Sequence, residues 1–92
     1  MSYPQIMQHK IKPLDAVTVG EFCMAVRMRE GISQREAADR FKINYVNINK
    51  AETGKTERPY EYLKAIMPLI TAVEEKHMFR LLADIDIRKL KG

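Results

Sequence analysis

The apolar residues that follow residue 18 recur at the spacing of one helical face. Thr18 and Glu21 precede most of them at the spacing of a capping box, in which a hydroxyl and a glutamate satisfy free backbone N–H groups. Gly31 follows them and tolerates the left-handed conformation that closes a last turn. The pattern therefore predicts a first helix between residues 18 and 31. Its inward face is expected to hold Val19, Phe22, Cys23 and Val26.

Two short helices are predicted between Gly31 and Gly54. Ser33 and Glu36 repeat the capping spacing and open the first of them. Asn44 is a strong N-cap for the second, which Gly54 ends. About three residues separate the two helices, which is the spacing of a helix-turn-helix. The residues expected to point inward are Ile32, Ala37, Ala38 and Phe41 for the first helix, and Ile48 and Ala51 for the second.

The C-terminal third is predicted to hold two more helices. Pro59 suits the first position of a fourth helix that carries Leu63 and Ile66, and Pro68 should break or kink it. The fifth segment, roughly residues 68 to 83, is apolar on two faces, so one face can pack on the core while the other meets a partner. One face holds Leu69, Ala72, Val73, Phe79 and Leu82. The other holds Ile70, Met78 and Leu81, which we assign to dimerisation.

These elements predict an all-α fold of five helices in one domain, because a chain of 92 residues is long enough for a single core. The tail "DIDIRKLKG" alternates apolar and polar residues, which predicts either a short C-terminal strand or a helical extension. Within the domain we expect an N-terminal arm over residues 1–17. A helix-turn-helix core is expected over residues 18–67, and a C-terminal helix and tail with a dimerisation role over residues 68–92.

Composition narrows the classes of partner. Sixteen basic and twelve acidic side chains give a net charge of +4, a mild excess that favours a polyanion or an anionic membrane surface. Cys23 is the only cysteine, which excludes an internal disulfide and favours a reducing compartment. Residues 1–13 lack an apolar signal core, and no segment approaches the ~20 apolar residues that a membrane span needs. We therefore expect a cytoplasmic protein with no membrane partner.

The third predicted helix has an outward side whose chemistry suits DNA recognition. At about 100° per residue, Ile48 and Ala51 fall together on the inward side. The opposite side offers amides, a cation, a pair of methyl groups and an aromatic hydroxyl, which are groups that read base edges in a major groove. The residues predicted to contact bases are Tyr45, Val46, Asn49 and Lys50.

Residues around this helix are predicted to bind phosphates, which fix the position of a protein on DNA without reading its sequence. Gln34 lies near the N-terminus of the second helix, where free backbone N–H groups attract an anion. The loop "KTERP" that follows Gly54 supplies a hydroxyl and two cations. The full set of predicted phosphate contacts is Gln34, Asn44, Asn47, Lys55, Thr56 and Arg58.

The run "ISQREAADRFKINYVNINKAETGKTERP" resembles the Xre/Cro-type helix-turn-helix of lambdoid phage repressors and Cro proteins. The resemblance covers about residues 18 to 66 and is carried by Ser33-Gln34, Ala38, Ile48 and Glu52-x-Gly54-Lys55. It implies a five-helix fold like that of the lambda repressor DNA-binding domain. It also implies a homodimer bound to a palindromic operator in double-stranded DNA.

The same resemblance assigns roles to individual residues. Gln34, Lys55, Thr56 and Arg58 would hold phosphates, and Tyr45, Val46 and Lys50 would meet bases. Arg27 and Glu52 would form an interior ion pair that ties the first helix to the third. Lys42 stands where the family often has the turn glycine, so a left-handed conformation would be strained at this residue.

The leading hypothesis is a phage or plasmid-type repressor that blocks polymerase by occupying its operator, without a cofactor or a small-molecule ligand. A rival from another class is a protein-interaction adaptor or antirepressor, in which the helix-turn-helix is only a scaffold and the fifth segment binds the partner. An antitoxin that represses its own operon and a restriction-modification controller also fit this length. A neighbouring toxin or methyltransferase gene would discriminate these two.

An enzyme is the weakest hypothesis for this sequence. The chain shows no Ser/His/Asp set, no Cys/His pairing, no phosphate-cradling glycine loop and no facing carboxylates. His9 and His77 each lack a second histidine or cysteine at the spacing of metal ligands, so no metal site is expected.

Overall fold

The described part of the chain is entirely helical. The computed structural model describes residues 11–56 and 59–91, with side chains described as far as residue 84. These residues include no strand, so the predicted all-α class is confirmed and the alternative of a C-terminal strand is wrong. Five α-helices follow one another: α1 Val19–Arg29, α2 Gln34–Phe41, α3 Tyr45–Glu52, α4 Tyr60–Ile66 and α5 Ala72–Lys91.

Polar side chains set the starts of the first three helices, as their capping patterns predicted. Thr18 Oγ1 accepts the backbone N–H of Glu21 at 3.0 Å. Ser33 and Glu36 form a complete capping box, in which the Glu36 carboxylate accepts the Ser33 backbone N–H at 2.9 Å. This backbone hydrogen bond, together with one to the Ser33 side chain, holds the pKa of Glu36 below its usual value. Asn44 caps α3 by accepting a backbone N–H at 2.8 Å.

A left-handed residue follows each of these three helices. Gly31 and Gly54, which were predicted to end α1 and α3, have φ angles of 75° and 76°. Lys42 has a φ of 61° after α2, and it is the one residue other than glycine with positive φ in the described ranges. A side chain with a Cβ costs about 1 to 2 kcal/mol in this conformation. The turn between α2 and α3 therefore has the strain that was expected of a lysine in the place of a glycine.

The connection between α4 and α5 is organised by Pro68. Helix α4 begins at Tyr60, one residue later than predicted, and Pro59 is its N-cap. Pro68 lies in a 3-10 turn formed by Met67–Leu69, so it interrupts the helix as predicted. Helix α5 then continues through the tail for which the alternating pattern predicted a strand. Extending an existing helix avoids the unfavourable nucleation step, and this outweighs a short alternating signal.

Pro13 and Ala16 attach residues 11–17 to the helical core. Pro13–Asp15 forms a 3-10 turn in which Pro13 is buried, and Ala16 is buried directly after it. The carbonyl oxygen of Ala16 lies 2.7 Å from Nε2 of His77 in α5. The described part of the predicted N-terminal arm therefore contacts the helices, and the domain boundary at residue 17 stays a prediction. The rest of the predicted arm, residues 1–10, lies outside the described residues.

One apolar core connects all five helices. Burial raises the pKa of the Cys23 thiol, and the nearby negative charge of Glu52 raises it further, so this cysteine is a small apolar residue of the core with no reactive thiolate. The largest fully buried side chains are Tyr62, Phe22, Ile48, Ile66, Met78, Val26 and Cys23.

Helices α1 and α3 approach each other closely at Gly20. A Cβ atom at this position would lie 2.1 Å from the backbone oxygen of Ala51 in α3. Because no side chain fits against a backbone atom at this distance, only glycine allows the observed approach. The packing of α1 against α3 therefore depends on the absence of a side chain at residue 20.

Helix α5 packs on the core through residues that we assigned to dimerisation, together with Leu82 of the other face. Met78 and Leu81, which we assigned to dimerisation, are only 1% and 6% exposed and belong to the core. Val73 and Phe79, which we placed on the other face, are 61% and 54% exposed. Ile70 is half-buried and packs against the core from the preceding turn. Two apolar faces have the same periodicity, so the pattern alone could not decide which one packs inward.

Candidate nucleic-acid interface

Helices α2 and α3 form a packed pair joined by residues 42 to 44. Ile43, in the middle of this turn, is buried and anchors it to the core. The backbone N–H of Ile43 donates to the carbonyl oxygen of Ala38 at 3.1 Å, which closes the last turn of α2. The next residue, Asn44, is the N-cap of α3, so only residues 42 and 43 lie between the end of α2 and this cap.

Helix α3 has a fixed inner side and an exposed outer side. Ile48, Ala51 and Glu52 are buried against the rest of the protein. Val46 is 52% exposed, and Lys50 is exposed one turn further along the same side. The prediction that Val46 and Lys50 face solvent is therefore confirmed, whereas Asn49, which was placed on the same side, is half-buried.

The buried carboxylate of Glu52 holds the inner side of α3 in place. Arg27 in α1 donates to it from Nε at 2.6 Å and from Nη2 at 2.9 Å, which is the ion pair that the resemblance implied. Tyr62 in α4 donates its hydroxyl at 2.5 Å, and Gln34 in α2 donates from Nε2 at 2.9 Å. Four donors from three helices occupy the acceptor positions of one carboxylate. Each of these helices is thereby connected to α3 through the same group.

The ionisation behaviour of this cluster follows from its burial and pairing. Burial by itself would lower the pKa of Arg27, but the hydrogen bond and charge of Glu52 reverse the effect and raise it. Burial raises the pKa of Tyr62, and its hydrogen bond to Glu52 raises it further. Arg27 also donates from Nη1 to the carbonyl oxygen of Ile32 at 2.8 Å. Among the described residues, no buried side-chain N or O atom lacks a hydrogen-bond partner.

Asn49 connects this interior cluster to the outer side of α3. Its Nδ2 donates to Oε1 of Gln34 at 3.2 Å, and the side chain is half-buried between the inner and outer sides of the helix. The amide of Gln34 therefore lies between Glu52 and Asn49, bonded through its nitrogen to one and through its oxygen to the other. Its predicted phosphate contact stays a prediction.

The tip of α3 is shaped by a residue that the sequence analysis did not single out. The guanidinium carbon of Arg35 in α2 lies 4.7 Å from the ring centroid of Tyr45, in a cation–π contact. Tyr45 is consequently half covered, while its partner adds a cation to the surface beside α3. Tyr62 was also not predicted to be part of this site. It lies four residues before Ile66, which is the spacing of two residues on one buried face of a helix.

The residues predicted to contact phosphates lie around α3, and some of their groups already form hydrogen bonds within the protein. The Asn44 side-chain oxygen is used in the cap of α3, and Asn47 is exposed on its first turn. Lys55 is exposed directly after α3, and its backbone N–H is bonded to the carbonyl oxygen of Lys50 at 2.8 Å. Thr56 is half-buried. Arg58 lies outside the described residues.

The residues that the structure describes also bear on two other kinds of site. In that part of the chain, no group of three or more His, Cys, Asp or Glu side chains is placed to hold a metal ion. None of the helices described is both long enough and apolar enough to cross a membrane.

Comparison with protein-family models finds no matching family, and comparisons with curated proteins and with solved structures find no match.

Proposed function

We propose that this protein is a sequence-specific regulator of transcription that binds double-stranded DNA through α3. The observation that supports this most strongly is the contrast between the two sides of that helix. Its inner side is fixed by the four hydrogen bonds to Glu52, while Val46 and Lys50 are exposed on its outer side. A rigid helix with exposed polar and apolar groups is what direct readout in a major groove requires.

In this proposal each outward residue has a chemical role. Lys50 can donate to the O6 and N7 atoms of guanine, and the methyl groups of Val46 can contact the methyl group of thymine. Tyr45 reaches DNA at the N-terminal tip of α3, where Arg35 lies over its ring. Asn49 supplies an amide between the inner and outer sides.

The backbone of the duplex would be held on both sides of α3. Lys55 follows the helix and offers a cation to phosphate, joined by Thr56 and Arg58 of the same loop. Asn44 and Asn47 offer amides near the first turn of α3. Together with the helix-turn-helix connection, this arrangement supports a fold of the lambda-repressor type and a role as a phage or plasmid repressor.

A homodimer on a palindromic operator is part of the same proposal, with a revised dimerisation surface. Because Met78 and Leu81 are in the core, the large apolar side chains of α5 that are exposed, among those described as far as residue 84, are Val73 and Phe79. Two copies joined by α5 would place their recognition helices in successive major grooves ~34 Å apart. Half-sites should then repeat about every 10 to 10.5 base pairs.

Binding to DNA at several salt concentrations tests the central claim. The full chain is titrated against random duplex DNA, and affinity should fall steeply with salt as counterions are released from phosphates. Sites selected from randomised duplexes then supply the cognate sequence, its symmetry and its half-site spacing. No salt-sensitive binding to any duplex is the outcome that overturns the proposal.

Three lysine variants separate the proposed roles. Lys50→Ala should cost about 1 to 3 kcal/mol mainly on the cognate sequence, because a base contact is lost. Lys55→Ala should weaken binding to every sequence alike and reduce the salt slope by about 1. Lys76→Ala, an exposed lysine in α5, is the matched control for removal of a positive charge elsewhere. Equal losses on all sequences for the first two variants contradict the assignment of Lys50 to a base.

The adaptor hypothesis has its own supporting observation, which is the exposure of Val73 and Phe79 in α5. Exposed large apolar side chains are one kind of contact that a protein interface uses. An adaptor would bind its partner through α5 and show no salt-sensitive DNA binding. The salt titration described above therefore distinguishes it from the regulator.

A further inference from the structure

We propose that Gln34 is a positioning residue that fixes the amide of Asn49 for contact with adenine, so that the buried Glu52 sets a base preference. This inference rests on the proposed DNA-binding function of α3. The sequence predicted a phosphate contact for Gln34. In the role proposed here, the Gln34 amide instead bonds to Glu52 through its nitrogen and orients Asn49 through its oxygen. The three residues form an unbroken line of hydrogen bonds from α3, through α2, and back to α3.

The first step is set by the charge of the carboxylate. Ionised Glu52, which is paired with Arg27, can only accept hydrogen bonds. The group of Gln34 that lies 2.9 Å from Glu52 Oε1 must therefore be its Nε2 amide, because the oxygen of the same amide would be repelled. The buried ion pair thus determines the orientation of the Gln34 side chain.

The second step passes this orientation to Asn49. With its nitrogen turned toward Glu52, Gln34 presents Oε1 on its other side. Only a donor is favourable against that oxygen, so Asn49 turns its Nδ2 toward it at 3.2 Å. An asparagine free of such a contact could rotate its amide by about 180°, because the two orientations have the same shape.

The third step concerns the groups that remain for a base. Asn49 keeps Oδ1 and one N–H of Nδ2, because the other N–H is directed at Gln34. One acceptor beside one donor matches the N6 amine and N7 of adenine. Guanine presents two acceptors, O6 and N7, and would place Oδ1 of Asn49 against a second oxygen. The fixed amide therefore favours adenine and rejects guanine.

Two substitutions test this line of contacts. Gln34→Met keeps a long side chain but removes both amide contacts, and Asn49→Ala removes the proposed reader. Asn47→Ala is the matched control, because Asn47 is an exposed asparagine in the same helix, without a contact to Gln34. Its loss should weaken binding to all sequences alike. Thermal unfolding of each variant shows whether it is folded at the temperature of the binding measurement.

The probe is the cognate duplex obtained by selection from randomised DNA. Each adenine in a half-site is replaced in turn by 7-deazaadenine, which keeps its base pair but lacks N7. For the wild-type chain, one replacement per half-site should lower affinity about 2- to 10-fold, as for the loss of one hydrogen bond. Changing the same A·T pair to G·C should lower it about 5- to 150-fold. Asn49→Ala and Gln34→Met should both reduce these ratios to nearly one.

The outcomes separate this inference from the proposed function. If the wild-type chain shows no salt-sensitive DNA binding, the function itself is wrong. If it binds a selected site but replacement of each adenine by 7-deazaadenine leaves the affinity unchanged, only the reading role of Asn49 fails. If Gln34→Met weakens every duplex equally and keeps the wild-type ratio for A·T over G·C, Gln34 is a phosphate or structural contact and the positioning role is overturned.

Discussion

Helices α3 and α5 are held against the protein by different kinds of contact. The inner side of α3 contains a buried carboxylate that receives four hydrogen bonds from α1, α2 and α4. Helix α5 packs through apolar residues such as Met78 and Leu81, and its ion pair, between Glu74 and Arg29 of α1, is partly exposed. Directional polar contacts allow one position for α3, whereas apolar packing specifies α5 mainly by shape and volume.

This difference suits the tasks proposed for the two helices. A helix that reads bases has to hold its outward groups in a fixed geometry, and a buried ion pair provides that geometry at a cost in desolvation. A helix that associates with a second apolar surface needs exposed apolar side chains, such as Val73 and Phe79. Separate substitutions in the two helices can test the contrast.

The largest effect is expected from breaking the buried ion pair of α3. Arg27→Met should lower the free energy of unfolding by about 3 to 5 kcal/mol, because the charge of Glu52 is left buried without its partner. Urea denaturation of the purified chain measures the loss.

The matched control for this substitution is Arg29→Met, at the partly exposed ion pair with Glu74. The Arg29 side chain is 35% exposed although Glu74 is buried, so solvent screens this pair in part and its loss should cost less than the loss of Arg27. Equal losses for the two arginine variants would show that the cluster around Glu52 is no more important for stability than the pair of Arg29 and Glu74.

The second prediction concerns the apolar packing of α5. Met78→Ala should lower the free energy of unfolding by about 2 to 5 kcal/mol, because it leaves a cavity in the core. Phe79→Ala removes a larger side chain from the next position, yet it should change the stability of the monomer by only about 0.5 kcal/mol. Chemical denaturation at low protein concentration provides both values. The reverse order would restore the orientation of α5 that the sequence pattern predicted.

A third, more gradual effect is expected at alkaline pH. The pKa values of Tyr62 and Cys23 are raised by burial, so the folded protein retains protons that the unfolded chain loses above the ordinary values of 10.0 and 9.0. Stability from these groups is therefore fully present below about pH 9 and falls as pH rises beyond it. Each group contributes a slope of up to about 1.4 kcal/mol per pH unit.

Substituting the buried tyrosine isolates its part of this slope. Tyr62→Phe should lose stability less steeply than the wild-type chain above about pH 10, although it starts from a lower value because Glu52 loses a donor. Tyr60→Phe, at the exposed tyrosine two residues earlier, should keep the wild-type slope. Unfolding free energies measured from pH 8 to 11 test this prediction. Parallel curves for Tyr62→Phe and the wild type would show that Tyr62 does not contribute to the loss of stability at high pH.

The smallest effect is a stabilisation at the turn that precedes α3. Lys42→Gly should raise the free energy of unfolding by about 0.5 to 1 kcal/mol, because glycine adopts a positive φ without the strain of a Cβ. Lys42→Ala removes the same charge but keeps a Cβ, so it should give no such gain. Thermal unfolding of both variants separates backbone strain from charge, and an equal gain in both would assign it to the charge.

The sequence predicted best where a single residue has a specific local role. Thr18, Ser33 and Asn44 cap helices and Gly31 and Gly54 end them, because these roles depend on side-chain or backbone chemistry within a few residues. The outward side of α3 was predicted for a related reason, since its polar and apolar residues lie on different sides.

Prediction failed where the deciding contact comes from a distant part of the chain. Either apolar face of α5 could have packed inward, and the choice is made by its packing on α1 and on the 3-10 turn Pro13–Asp15. The contact between Gln34 and Asn49 depends on the position of Glu52, and no spacing in the sequence specifies it. The turn Pro13–Asp15 likewise contacts α5, much later in the chain, as well as α1, and His77 of α5 bonds to the carbonyl oxygen of Ala16.

The close approach at Gly20 limits how this protein could be altered. Since a methyl group there would collide with the backbone of Ala51, no side chain can be introduced at residue 20 unless α1 moves away from α3. Under the proposed DNA-binding function, changes of target sequence are expected to replace outward groups such as Val46 and Lys50 while the packing beneath them stays constant. Libraries built for new targets should vary these positions and keep residue 20 as glycine.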